Sequence, residues 1–142
     1  MRLSTRSRYG VRALIALAFQ EEPDGHCARE IADEESLSKK YLESILAQLR
    51  TSGFVRSVRG AHGGYVLARA PSEITVAEVV RALEGSLALV ECSDDPSYCE
   101  RSIVCATREV WIAAERALND AMVGITIEDL VKKRRKDGNG EL

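Results

Sequence analysis

Residues 38–68 restrict the fold more than any other part of the chain. The stretch opens on Ser38, continues with Leu42, Ile45, Leu46 and Leu49, and reaches Gly53. Apolar residues at three- and four-residue intervals fall on one face of an α-helix, serine caps its start, and glycine ends it by accepting a positive φ. Two β-prone runs follow at once, 54–59 and 65–68, on either side of Gly60-Ala61-His62-Gly63-Gly64. The glycines allow the backbone angles of a hairpin tip. A capped amphipathic helix that runs straight into a hairpin fits few architectures.

The elements before it narrow the choice. A first helix is expected from Ser4 or Thr5 to Phe19, with Leu14, Ile15, Ala18 and Phe19 inward. Pro23, Asp24 and Gly25 end the connection after it, and a short helix over 28–34 buries Ile31 and Ala32. Ser36-Leu37 makes a tight corner. Helix, short helix, corner, helix and hairpin is the order of a winged helix-turn-helix, whose second helix suits the DNA major groove. Further on, Thr75-x-x-Glu78 is a capping box with Ile74 and Val79 as its staple, and the helix it opens ends near Gly85. Residues 86–102 read as irregular and acidic. A long helix over 103–123 carries Val110, Trp111, Ala114, Ala117, Leu118, Ala121 and Met122 on one stripe, too long for one small domain to cover. Thr126-x-x-Asp129, with Ile125 and Leu130, opens a last short helix before a charged tail expected to fray. The fold class is therefore mainly α with a small β-hairpin wing: a winged helix-turn-helix plus a long dimerisation helix. Its expected divisions are a DNA-binding domain over 1–86, a cysteine-bearing sensor loop over 87–102, the dimerisation helix over 103–125, and a short helix with a frayed tail over 126–142.

Charge points to the partner only when it is divided along the chain. The net charge is −2, which suits no particular polyanion binder. Residues 1–70 hold 11 Lys/Arg against 8 Asp/Glu, whereas 71–142 hold 9 against 14. Within 38–69 six basic residues face one acid, Glu43. Phosphate contacts are made by a face, not by an average. The polar side of the 38–51 helix shows Lys39, Lys40, Glu43, Ser44 and Gln48, so double-stranded DNA is the expected partner. A winged helix that binds protein instead is the alternative. Parts for an enzyme are missing: there is no glycine-rich phosphate loop, no nucleophile–base pair, and only His26 and His62. His62 belongs to the wing tip. No run approaches the roughly 20 apolar residues of a membrane span, and no apolar segment with a cleavage site follows the basic start MRLSTRSRYG. A cytoplasmic protein with reduced thiols is expected.

The four cysteines divide unevenly. Cys27 stands alone at the start of the second helix and reads as a small buried hydrophobe. The others form Cys92-x6-Cys99-x5-Cys105 in an acidic stretch. Thiolates ligate iron–sulfur clusters and zinc, and a loop can bend several toward one centre. Thiol redox chemistry without a metal, and plain packing, are the alternatives.

Taken together, MRLSTRSRYGVRAL, SxxYLExxLxxLRxxGxVxSVRG, GGYxLAR and TVxEVxxALEG resemble the Rrf2-type winged-helix transcription regulators, the group of IscR, NsrR and CymR. The resemblance spans nearly the whole chain. It implies a homodimer packed through the long helix, a partly palindromic operator, and an iron–sulfur cluster, [2Fe–2S] or [4Fe–4S], near the dimer interface. Carried over by position, it implies that Ser38, Lys40, Tyr41 and Glu43 read DNA from the recognition helix and that Arg59 enters the minor groove. Lys39 joins them on the charge argument. The resemblance assigns the cluster to Cys92, Cys99 and Cys105. The IscR pattern adds a histidine three residues after the third cysteine, where this chain has Arg108. The NsrR pattern takes an aspartate from the partner's first helix, where this chain has Arg8. The fourth ligand is therefore unidentified, with Glu91, Asp94, Asp95, Glu100, Glu109 and Cys27 as candidates. The expected function is a DNA-binding regulator, a repressor, whose operator affinity is tuned by the cluster. A zinc- or thiol-dependent regulator and a protein-interaction module are the alternatives.

Overall fold

The computed structural model describes residues 2–20, 25–60 and 63–138 of the chain. Helix α1, Thr5–Phe19, starts where the Ser4 hydroxyl accepts from the Ser7 N–H, and it forms the spine of the body. Gly10 sits on its buried face, where a Cβ would overlap Leu83. Glycine is thus what lets α1 and the fourth helix approach so closely.

The helix-turn-helix follows as expected. Helix α2 spans Ala28–Glu34 and buries Ile31 and Ala32. At the corner, Ser36 takes a φ of 54°. The buried Glu35 lies 2.5 Å from the Arg12 guanidinium. Burial pushes the Glu35 carboxyl above its usual range despite that neighbour. Helix α3, Lys39–Thr51, is capped by Ser38, and Gly53 beyond its end has a φ of 80°. Leu42, Ile45, Leu46 and Leu49 are completely buried. Each such side chain contributes roughly 1.5–3 kcal/mol by leaving water.

Strands β1, Val55–Val58, and β2, Gly64–Leu67, pair antiparallel from Val55↔Leu67 to Val58↔Gly64. The wing is tied back to the body by two backbone bonds, His26 N–H to Tyr65 O at 2.9 Å and Tyr65 N–H to His26 O at 3.0 Å. The connection through Pro23 and Asp24, and His62 at the wing tip, lie outside the described residues.

Helix α4, Val76–Glu84, opens on the expected capping box. The Glu78 carboxylate accepts first from the Thr75 N–H, which lowers its pKa. Gly85 ends α4 with a φ of 82°. Residues 86–102 are not wholly irregular. They hold a short helix α5, Glu91–Asp94, and a 3₁₀ turn, Pro96–Tyr98, because Pro96 and the Asp95 side chain initiate a tight turn there. Helix α6 is Ala106–Val123, starting three residues later than expected. Cys105 is its N-cap, and Ile103 and Val104 lie before it, exposed.

Helix α7, Ile127–Lys136, differs most from expectation. It returns to the body, with Ile127 and Val131 in the main core. Ile127 N–H bonds Ile74 O, and Val76 N–H bonds Ile125 O, both at 2.9 Å. The basic run from Lys132 to Lys136 is helical rather than frayed, and Arg134 stacks 4.5 Å over the Phe19 ring. Cations in the last turn of a helix are favoured by its dipole. The final 139–142, also expected to fray, lie outside the described residues. Among the described residues no helix is long and apolar enough to cross a membrane.

Candidate functional site

Helix α3 and the wing line one cleft. It is lined by Lys39 and Glu43 of α3, by Ser57 and Tyr65 of the wing, and by Cys27. Ser38 uses its hydroxyl to accept from the Tyr41 N–H at 3.2 Å, so its first role is to start the helix. The Lys39 ammonium lies 3.6 Å from the Glu43 carboxylate, and both are exposed. An exposed pair of this kind contributes little to stability. Lys40 and Arg59 are exposed as well. Arg50 braces the wing by donating to the Ser57 hydroxyl at 3.1 Å.

Tyr41 is placed differently from the other candidates. It is half-buried, its hydroxyl is 2.9 Å from Thr5 Oγ1, and its ring meets Tyr9 edge-on at 6.4 Å. The tyrosine holds α3 against α1. Gln48, expected on the open polar side of α3, is half-buried between helices. Its Oε1 accepts from Arg6 Nε at 2.7 Å, and its Nε2 donates to the Ala82 carbonyl at 2.8 Å. Gln48 lies on the flank of the apolar stripe, where periodicity alone does not decide what it faces. Arg6 also donates to the Ser44 hydroxyl and carbonyl. Sequence reasoning missed Arg6 because its partners are 38 and 42 positions away. It also missed the buried His26, which lies 3.6 Å from Glu30 and 3.7 Å from Glu34 beside its backbone link to the wing.

The three clustered cysteines occupy three different local structures. Cys92 is half-buried in α5, and its carbonyl accepts from Arg108 Nε at 2.7 Å. Cys99 follows the 3₁₀ turn and is exposed. Cys105 begins α6, with its sulfur 3.1 Å from the Thr107 hydroxyl. That hydroxyl first, then the Arg108 N–H, holds the Cys105 thiol below its ordinary value. Arg108 thus fills the position of the IscR-pattern histidine and braces α5 instead. The Glu115 carboxylate secures the same segment by accepting from Leu89 N–H at 2.6 Å and from the Ser93 hydroxyl.

The donor types fit a cluster or zinc, but their placement does not close a site. Among the described residues no three His, Cys, Asp or Glu are positioned to share a metal. Of the acidic candidates, Asp95 is engaged by Ser97, whose N–H and hydroxyl donate to it at 2.9 and 2.7 Å. Cys27 is a correction to expectation: it is half-buried at the N-cap of α2, not part of the core. It lines the cleft between α3 and the wing.

Helix α6 buries none of its residues within the chain. Val110 is 57% exposed, Trp111 40% and Leu118 38%, so the predicted stripe lies open.

Comparison with known proteins gives a consistent result. Residues 3–133 match the family model Rrf2, described as an iron-dependent transcriptional regulator. The chain is 40% identical over 132 residues to the protein rrf2 of Nitratidesulfovibrio vulgaris, covering 93% of this chain and 88% of that one. Among solved structures it is similar to CymR, the global cysteine regulator of B. subtilis, with a TM-score of 0.78 and 37% identity over 94% of this chain and 98% of that one. It is similar also to T. potens IscR, with a TM-score of 0.79 and 33% identity over 100% of this chain and 94% of that one. Both the family description and the name given to CymR are those of regulators.

Proposed function

The chain belongs to the Rrf2 family of transcriptional regulators, and on that premise we propose that it is a cytoplasmic homodimer that binds a partly palindromic operator and adjusts its affinity through the cysteine segment. The observation that carries the reading is the shared cleft of α3 and the wing, lined by Lys39 and, as its one acid among the described residues, Glu43, with the neighbouring Lys40 and Arg59 exposed. Ser38 and Tyr41 set the helix in place. Lys39 and Lys40 meet phosphates, Glu43 accepts from a base edge such as cytosine N4, and Arg59 enters the minor groove. The open stripe of α6 supports pairing with a second copy.

Two readings of the segment follow from its chemistry. In the first, Cys92, Cys99 and Cys105 hold an iron–sulfur cluster, in keeping with the iron dependence in the family description. A cluster there would supply an iron- and redox-sensitive link between α5 and the start of α6. In the second, the thiols respond without a metal. The dispersed placement of the donors favours it, as does similarity to a global cysteine regulator.

Anaerobic purification with iron and sulfide analysis and an absorption spectrum separates the readings. A brown protein that loses its colour in each of Cys92→Ala, Cys99→Ala and Cys105→Ala, but keeps it in Cys27→Ala, supports the cluster. A colourless, metal-free protein rules it out, and bound zinc alone indicates a zinc-stabilised binder. Binding to operator variants at several salt concentrations tests the DNA face. Glu43→Ala relaxes sequence choice, and Lys39→Ala lowers the salt slope by about one at all sites. Uniform loss in Glu43→Ala makes that residue a surface acid only.

A further inference from the structure

The last turn of α4 is gripped by two other helices at the point where the chain leaves for the cysteine segment. Gly85 N–H reaches back to Arg81 O, so the Ala82 carbonyl lies beyond the last intrahelical bond of α4. Gln48 of the recognition helix supplies its missing partner, donating from Nε2 at 2.8 Å. The amide orientation is unambiguous, because an arginine only donates and a backbone carbonyl only accepts. Arg6 Nε therefore takes Oε1, at 2.7 Å, and turns Nε2 toward α4. Two residues on, Glu84 accepts from both the backbone and the hydroxyl of Ser4, each at 2.7 Å, and Ser4 is the cap of α1. After Gly85 the chain enters the segment of Cys92, Cys99 and Cys105. Glu115 and Arg108 anchor that segment to α6.

We propose that Gln48 is the positioning residue that couples the cysteine segment to the recognition helix, through its grip on the last turn of α4. A shift of the segment moves the turn that precedes Gly85. Gln48 joins that turn to α3 by a direct bond, and Arg6 joins α3 to α1, so α3 moves with it. In this proposal the polar grip, made in the structure, is the contact that is unmade in the other state. The inference rests on the sensor role assigned to the cysteines under the proposed function.

The test is operator affinity before and after carbamidomethylation, in a Cys27→Ala parent so that only the three segment thiols react. The parent is expected to bind about tenfold differently in its two forms, within the usual span of allosteric couplings. Gln48→Met keeps the side-chain length and removes both hydrogen bonds, and it reduces the difference to less than about twofold, a double-mutant-cycle signature of coupling. Gln48→Glu keeps the acceptor for Arg6 and removes the donor to Ala82, so it gives the same loss of difference and stands in if the first variant fails to fold. A responsive parent whose ratio survives in the variants, with affinity lowered equally in both forms, overturns the coupling alone. A parent indifferent to alkylation overturns the sensor reading, and the coupling with it.

Discussion

Helices α3 and α6 have apolar stripes at the same period and opposite surroundings. In α3 the stripe of Leu42, Ile45, Leu46 and Leu49 is sealed. In α6 the stripe of Val110, Trp111 and Leu118 faces outward. The other side of α6 packs on α4 and α5 through polar groups, with Arg81 donating to Asn119 at 2.6 Å and Glu115 holding Leu89. An amphipathic period announces that a face will be covered and is silent about what covers it. The winged helix-turn-helix, closed from behind by α7, is complete within one chain. The cysteine segment and α6 present open chemistry, free thiols and an uncovered stripe. The proposed function places recognition in the first region and response in the second.

Substitutions in the two stripes probe the contrast most strongly. Leu118→Glu places an unpaired carboxylate in the proposed pairing face, at roughly 3–5 kcal/mol, the cost of an uncompensated buried charge. Sedimentation velocity then gives a monomer that is still folded. If the unmodified chain already sediments as a monomer at micromolar concentration, a second copy does not cover α6. Leu46→Ala, at a fully buried site, lowers the unfolding free energy by about 2–5 kcal/mol and shifts the urea midpoint. A cost below about 1 kcal/mol would mean that the body is not close-packed around α3.

Smaller effects sharpen the division of labour. Arg59→Ala costs roughly 1–3 kcal/mol at the preferred operator and leaves thermal stability unchanged, as measured by fluorescence anisotropy and melting. A fall in melting temperature instead would give Arg59 a structural role. The smallest effect concerns the α4 cap. The Glu78 carboxyl is held below its ordinary value by the Thr75 N–H first, so its contribution is present above that ordinary value and lost as pH falls through the lowered one. The side chain is 39% exposed, which keeps the effect small. The melting-temperature gap between the wild type and Glu78→Gln closes on acidification from neutral to about pH 3. A gap independent of pH would show that the carboxylate charge contributes nothing to the cap.

Much of the architecture was legible in the order of residues because its signals are local. Caps at Ser38, Thr75 and Thr126 act within three positions, and each is made as read. The stripe of α3 needs only its own period. The errors arose where distant groups decide. The run from Lys132 to Lys136 looked like a solvated tail, yet Val131 in the core and Arg134 on Phe19 hold it as helix. The segment after Gly85 looked irregular, since its turns depend on Asp95 and Pro96 and on anchors from α6. For the candidate site, the basic face and the three cysteines were visible by residue type, but the roles of Tyr41, Gln48 and Arg6 were not.

What the sequence determined by itself is most of the elements, the basic sign of the α3 and wing face and the chemistry of the thiols, because capping, periodicity and ionisation are properties of neighbours along the chain. The tertiary structure decided that Tyr41 and Gln48 turn inward to α1 and α4, that α7 closes the body, and that Cys92, Cys99 and Cys105 stand apart on α5, a turn and α6. The inward turn of Tyr41 and Gln48 depends on which donor meets which acceptor across 34 or more positions of chain, as in the bond from Gln48 to Ala82. Only the packing of the helices brings such pairs within the 3 Å at which a hydrogen bond forms.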